Sequence, residues 1–349
     1  MEEKKETPEL LDLIIRPGFY VKENKITGLN AAARGLLLSE GMDIRPLICS
    51  GLAEYEAFTE GCLYLRLNLI CKGVGACVTR SAQQLVFVLE PEESDSALQV
   101  LSLAARELRE PLTALMASAG TLQATAAPQL AQLNRGLHQL LRLVGNMSDA
   151  GRATPSFRPE TTDVDGLFAE VIEKAAHLAA SVGVCVTYQG LGKPVFCLAD
   201  RDQLERAVLN LISNALKFAP AGGRISVTLS QSARTLRLSV CDDGPGIPPD
   251  ILGNVFTRYL RQPCLEDSRF GLGLGMVLVR SVAANHGGAV LIDQPEDHGT
   301  RVTMTMAIRQ NPAGTLRSPV MRVDYTGERD HALVELADCL PAEWYKKET

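Results

Sequence analysis

The sequence predicts an α+β protein of several units, and three observations predict it. Strand-like alternation fills residues 8–92, two heptad-spaced apolar seams fill 93–152, and a polar-striped helix with two glycine-rich loops lies within 156–310. Residues 311–349 form an extension. A chain of 349 residues has room for two or three cores, and a hydrophobic content of 46% is that of a globular protein.

In the first unit, Pro17 to Val21 and Lys25 to Ala33 alternate like a hairpin entering a small helix. Gly61 to Leu67 and Gln84 to Leu89 read as further strands. In the second unit, Leu101, Ala105, Leu108, Leu112, Leu115 and Ala119 alternate steps of four and three. Leu130, Leu133, Leu137, Leu140, Val144 and Met147 do the same. Both are coiled-coil seams. The short turn between them predicts an antiparallel hairpin. One hairpin leaves a seam bare, so two copies are expected to close a four-helix bundle across a two-fold axis.

The third unit holds the chemistry. In the segment Gln203 to Phe218, Asn210, Asn214 and Lys217 share one helical face. Leu204, Val208, Leu211, Ile212 and Ala215 share the opposite face and are expected to be buried. Amide oxygens are hard ligands of the kind Mg²⁺ accepts, and a lysine meets phosphate as a point charge. Taken alone, the stripe is equally that of an ordinary polar face. Arg237 to Cys241 reads as a strand ending in Asp242, a carboxylate suited to an exocyclic amine. Gly244 and Gly246 follow in a tight turn. Gly271, Gly273 and Gly275 open an apolar helix, whose free N–H groups and positive dipole end suit phosphate. The Rossmann context and the P-loop lysine are both missing.

Together these segments resemble the ATP-binding domain of sensor histidine kinases, within the wider GHKL, or Bergerat-fold, ATPases. Asn210 to Ala215 matches the N box, Asp242 to Gly246 the first glycine box, and Gly271 to Gly275 the second. Val255 to Tyr259 resembles the F box, His286-Gly287-Gly288 the motif that follows, and Gly299-Thr300 the terminal pair. The resemblance covers residues 160–310 and implies an α/β sandwich that binds ATP with Mg²⁺. It implies that Asn214, with Asn210 beside it, ligates the metal. Lys217 contacts phosphate and Phe218 packs near adenine. Asp242 takes the adenine amine, and Thr300 joins the hydrogen bonds on that side. Gly244, Gly246, Gly271, Gly273 and Gly275 shape the lid and phosphate loop, and Arg258 or Arg261 reaches the γ-phosphate. In the hydrolytic relatives a glutamate stands at the position of Asn210 and activates water. An amide has no such basic lone pair, which argues against a hydrolytic motor.

Arg106 to Leu112 resembles the H box that carries the phosphoacceptor histidine in these kinases. Here Arg106 occupies the acceptor position, and Glu110 stands where a threonine is usual. A guanidinium stays protonated and has no lone pair to attack a phosphate. Glu107, the general base the resemblance implies, then has nothing to activate. His138, in the second helix, is the alternative acceptor weighed against this. The first unit resembles a PAS domain, a common input module, with no heme or flavin signature; a ligand-free dimerisation module fits the same pattern. The expectation is therefore a cytoplasmic, dimeric, ATP-binding signalling protein. Its degenerate H box points away from self-phosphorylation. A nucleotide-switched scaffold or a kinase acting on a partner are the alternatives, and a response regulator or partner kinase is the expected partner.

Composition sets outer limits. No run approaches a membrane span, and the start has no secretory pattern. Nine scattered cysteines without CxxC pairs fit reduced thiols, and a net charge of −6 argues against nonspecific nucleic-acid binding. In the extension, Val320 to Tyr325 is expected as a strand and His331 to Leu340 as a short helix. Trp344 is the sole tryptophan. This segment is expected either to dock on the ATP domain or a partner, or to remain a disordered tail.

Overall fold

A computed structural model describes residues 16–69, 72–81, 83–90, 105, 108, 112, 115, 127–150, 157–232, 234–248, 252, 275–295, 299–309 and 330–346. The hairpin expected near the start is formed by β1 (Gly18–Lys22) and β2 (Lys25–Leu29). Glu23 and Asn24 lie between them at φ of 50° and 65°, the two left-handed residues a tight primed turn requires. Asn30 then starts α1 (Ala31–Arg34). Its Oδ1 accepts from Ala33 N at 2.9 Å and from Gly18 N at 3.0 Å, so one side chain caps the helix and anchors the hairpin. The unit continues through β3 (Ile48–Ser50), α2 (Leu52–Glu56), β4 (Cys62–Leu69), β5 (Lys72–Ser81) and β6 (Gln84–Leu89). Phe19 stacks on Phe87 at 4.9 Å in its core.

Next comes α3 (Ala127–Ala150), which covers the second expected seam. Of the first seam, Ala105, Leu108, Leu112 and Leu115 are described, and all four are helical. Ala105 and Leu112 pack with Leu137, Leu141 and Val144 of α3. The buried line therefore includes Leu141 in place of the expected Leu140. Leu108, Leu115, Leu133 and Leu140 instead remain 49–59% exposed. The seam splits because alternate heptad positions face different neighbours. One half meets the rest of this chain, and the other half is left bare.

The last unit holds β7 (Glu160–Asp163), α4 (Val164–Ala180), β8 (Cys185–Gln189), β9 (Phe196–Ala199), α5 (Arg201–Phe218), β10 (Arg224–Ser232), β11 (Thr235–Asp242), α6 (Gly275–Asn285), β12 (Val290–Asp293) and β13 (Thr300–Ala307). Phe168 and Ile172 of α4, Leu204, Val208 and Ile212 of α5, and Val279 of α6 share one core with Ile225, Val227, Leu238 and Val240. The expected apolar face of α5 is thus buried. Asp200 caps this helix, accepting from Gln203 N at 3.2 Å. Asp200 N in turn donates to His286 Nε2 at 3.1 Å, while His286 Nδ1 donates to Val282 O at 2.8 Å. Burial holds the His286 imidazole below its usual pKa, consistent with a neutral ring that accepts on one side and donates on the other.

One sheet joins strands of the first and last units. The sheet runs unbroken from β2-β1-β6-β5-β4 into β12-β13-β11-β10-β8. β4 meets β12 antiparallel, with Tyr64 opposite Val290 and Cys62 opposite Ile292. Across this seam the buried Arg280 of α6 lies over the Tyr64 ring at 4.9 Å and pairs with the Glu90 carboxylate. Tyr64 donates its own hydroxyl to Glu90 at 2.7 Å.

The C-terminal extension is docked where it is described. α7 (His331–Glu335) is capped by Asp330, which accepts from Ala332 N at 2.8 Å. It is shorter than the helix expected to reach Leu340; tight turns replace it. Val334 joins the apolar cluster of α3, whereas Leu336, Ala337, Leu340 and Tyr345 join the core of the last unit. Residues Val320 to Tyr325, expected as a strand, lie outside the described residues.

Candidate functional site

The C-terminal half of α5, the end of β11, the start of α6 and the start of β13 converge. Asn210, Asn214 and Lys217 project from one face of α5, as helical spacing requires. Gly275 opens α6 beside them. A Cβ added there would lie 2.9 Å from Asn210 Oδ1 and 3.9 Å from Asn214 Nδ2, so only a bare backbone fits. Phe218 ends the helix 40% exposed. Its carbonyl borders Gly244, where a Cβ would come within 2.9 Å of it.

Asp242 stands opposite Thr300 in the β11–β13 ladder. Its Oδ1 accepts from Gly244 N at 2.9 Å and Thr300 N at 3.3 Å. The first glycine turn and the terminal Gly-Thr pair are therefore held by one carboxylate oxygen. Burial pushes the Asp242 carboxyl above its ordinary pKa. The two N–H donors work against that push, and neighbouring Asp243 adds to it. Gly246 and Gly299 take φ of 79° and 93°, values that admit glycine readily.

Asn210 is less open than its position suggested. It is fully buried. Its Nδ2 donates to Arg206 O at 2.9 Å and to Glu335 Oε2 at 3.1 Å. Its Oδ1 receives Arg142 Nη2 at 3.4 Å. Lys217 Nζ donates to Asp338 Oδ2 at 3.0 Å, and Arg142 Nη1 reaches the same oxygen at 2.5 Å. Glu335 Oε2 also receives Arg142 Nε at 3.2 Å, and its Oε1 receives Arg206 Nε at 3.3 Å. Arg142, Arg206, Glu335 and Asp338 were not anticipated. Their signal is weak in the sequence, because the partners lie on α3, α5 and the extension.

Asn210, Asn214, Lys217, Phe218, Asp242, Gly244, Gly246, Gly275 and Thr300 are thus brought to one region. Gly271, Gly273, Arg258, Arg261 and the F-box segment lie outside the described residues, as do Arg106, Glu107 and Glu110. His138 lies on α3, its Nδ1 2.8 Å from Asn134 O and its ring 4.8 Å from that of Tyr345. The site's chemistry has two poles. One joins amides and a lysine to an anionic partner. The other is the half-buried Asp242 carboxylate, with Oδ1 occupied by backbone donors. Among the described residues no helix is long and apolar enough to cross a membrane.

Residues 199–310 match the sequence model of the histidine kinase-, DNA gyrase B-, and HSP90-like ATPases. The adaptive-response sensory kinase SasA of Parasynechococcus marenigrum (strain WH8102) is 30% identical over 61% of this chain and 57% of its own length. The signal transduction histidine-protein kinase/phosphatase MprB of Mycolicibacterium smegmatis is 33% identical over 72% of this chain and 49% of its own. The chain thus spans roughly half the length of these curated relatives. The crystal structure of full-length ShkA in complex with AMPPNP is similar over 61% of this chain and 47% of that one, with 26% identity and a TM-score of 0.50.

Proposed function

We propose, from the premise that residues 199–310 form a histidine-kinase-like ATPase domain, that this chain is a nucleotide-binding signalling protein of the sensor histidine kinase type. The observation that carries the proposal is that Gly275 opens α6 against Asn210 and Asn214 of α5, the helix that also carries Lys217, while Asp242 stands opposite Thr300 and the turn after it borders the end of α5. The residues fit Mg-ATP. The anion-binding end holds carboxylates of this chain where phosphates would sit, and Asp242 keeps Oδ2 for an adenine amine.

In this scheme Asn214, with Asn210, ligates Mg²⁺, and Lys217 neutralises phosphate. Phe218 flanks the base, and Gly244, Gly246, Gly271, Gly273 and Gly275 let the backbone approach the ligand. Thr300 supports Asp242, and Arg258 serves the γ-phosphate. Residues 8–92 act as a PAS-like input module, and residues 93–152 pair with a second copy. The bare Leu108, Leu115, Leu133 and Leu140 supply the apolar stripe that such pairing buries. The partner is a response regulator or a second kinase, and the setting is the cytoplasm.

Arg106 favours a chain that does not label itself. Incubated with γ-labelled ATP, it is expected to stay unlabelled while calorimetry registers Mg-ATP binding. Acid-labile, base-stable label on the chain would overturn the first expectation, and the absence of heat at millimolar nucleotide would overturn the second.

A further inference from the structure

We propose that residues 330–346 are a built-in competitor for the phosphate end of this site: Glu335 and Asp338 hold Asn210 and Lys217 until a nucleoside triphosphate displaces them. The inference rests on the nucleotide-site proposal above and adds its regulation. The matched ATPase domain ends at residue 310, so the segment lies beyond it.

The carboxylates engage residues assigned to the ligand. Lys217 cannot meet a phosphate oxygen while its ammonium holds Asp338 at 3.0 Å. Asn210 cannot turn its amide to a hydrated metal while Glu335 and Arg142 hold both ends. Glu335 is fully buried, with each oxygen on a guanidinium. Among the described residues, the Glu335 and Asp338 carboxylates thus face Arg142, Arg206 and Lys217. Three such cations suit a polyanion arriving in the carboxylates' place.

The segment also ties two parts of the molecule together. Arg142 comes from α3, and Arg206, Asn210 and Lys217 come from α5. Arg135 of α3 donates to Ala337 O at 3.1 Å and Asp338 O at 3.2 Å, and Asn134 donates to Tyr345 O at 3.1 Å. Val334 fills the α3 cluster, and Leu336 and Leu340 fill the ATPase core. Nucleotide arrival therefore removes the segment's share of the ties between α3 and α5, leaving the direct Arg206–Asn146 bond at 3.2 Å in place. Binding at one place becomes release at another, which is coupling in the thermodynamic sense.

The molecule carries its own reporter. Trp344 is the sole tryptophan, and it sits on this segment with Nε1 2.7 Å from Ser181 Oγ and its ring edge-on to His177 at 5.6 Å. The full-length chain is titrated with Mg-AMPPNP by calorimetry and by tryptophan emission. The wild type is expected to bind while Trp344 emission shifts with the same half-saturation. Asp338→Asn, which keeps shape and removes charge, is expected to bind about tenfold tighter, the factor by which a docked competitor that is about tenfold favoured depresses apparent affinity. Arg135→Ala, which loosens the segment without touching the site, is expected to move in the same direction by a smaller factor.

Tighter binding in both variants, or binding seen only in the variants, supports the competitor. Binding with an unmoved Trp344 and equal affinities in all three chains overturns it and leaves the nucleotide site standing. No binding in any of the three overturns both.

Discussion

The Arg280 guanidinium lies 4.9 Å over the Tyr64 ring, joining α6 to strand β4 of the N-terminal unit. The pair sits at the β4–β12 seam, and Glu90 closes it from the side. Burial lowers the Arg280 pKa, yet Tyr64 and Glu90 surround the guanidinium on two sides. Arg280→Ala leaves the third-exposed Glu90 with the Tyr64 hydroxyl but without its cation, and opens a gap beside the Tyr64 ring. The expected loss is about 2 kcal/mol, below that of a fully buried pair because water still reaches the carboxylate. Urea unfolding measures it. Arg280→Lys should recover less than half, since an ammonium lacks the planar stacking surface. An unchanged midpoint in the alanine variant would show that the seam does not depend on this contact.

Asp242 connects stability, pH and ligand. Its folded pKa is raised, so its contribution to stability is present below the unfolded value of 3.8 and is lost as pH rises through the folded value. At neutral pH the fold therefore bears a cost for this charge. Asp242→Asn should raise the melting temperature there while weakening ATP binding by about tenfold to a hundredfold, as loss of a half-buried charged acceptor does. Wild-type affinity should fall on acidification at a higher pH than an ordinary aspartate predicts. Thermal melts and calorimetry across pH separate the two effects. An asparagine variant that is both less stable and equally avid would contradict this assignment.

His286 has the opposite sign. Its folded pKa lies below the usual 6.5, so its contribution is present above 6.5 and is lost as pH falls from there through the folded value. Acid destabilisation should therefore begin near pH 6.5, before the carboxylates titrate. In His286→Asn that early slope should vanish, at a cost of about 1–2 kcal/mol at pH 8 from the lost link to Asp200 N. Denaturant midpoints from pH 8 to pH 5 test it, and a persistent slope in the variant would point to another group.

Leu133 and Leu140 are 49% and 50% exposed on α3, whose Leu137, Leu141 and Val144 are buried. A double change to lysine should turn a dimer into a monomer in sedimentation while altering unfolding free energy by less than about 1 kcal/mol, since neither side chain is in the core. A wild-type chain that already sediments as a monomer would remove the ground for that pairing.

Much of the site was legible because its residues are local or follow strict spacing. The apolar face of α5 shows at period 3.6, and the glycine turns mark their own positions. What escaped depends on distant partners. β5 carries Gly73 and Gly75, which weaken any strand pattern. In the fold those glycines lie under Arg66, Tyr64 and Glu90, where a side chain would collide. Glu335 and Asp338 look like the polar positions of a surface helix. Only when Leu336 and Leu340 turn inward do the carboxylates follow them to Arg142 and Lys217. The seam between β4 and β12 was equally hidden, since an edge strand does not announce what pairs with it. The exchange of Leu140 for Leu141 has the same origin: α3 faces α5 and the extension as well as Ala105 and Leu112.

The unbroken ladder has a practical corollary for anyone dissecting the chain. A fragment trimmed to the ATPase portion would bare the backbone of Val290, Leu291 and Ile292, a greasy border with every second amide unquenched. Such a piece invites stacking against its own siblings, and turbidity in that preparation would reflect the scissors rather than the natural molecule.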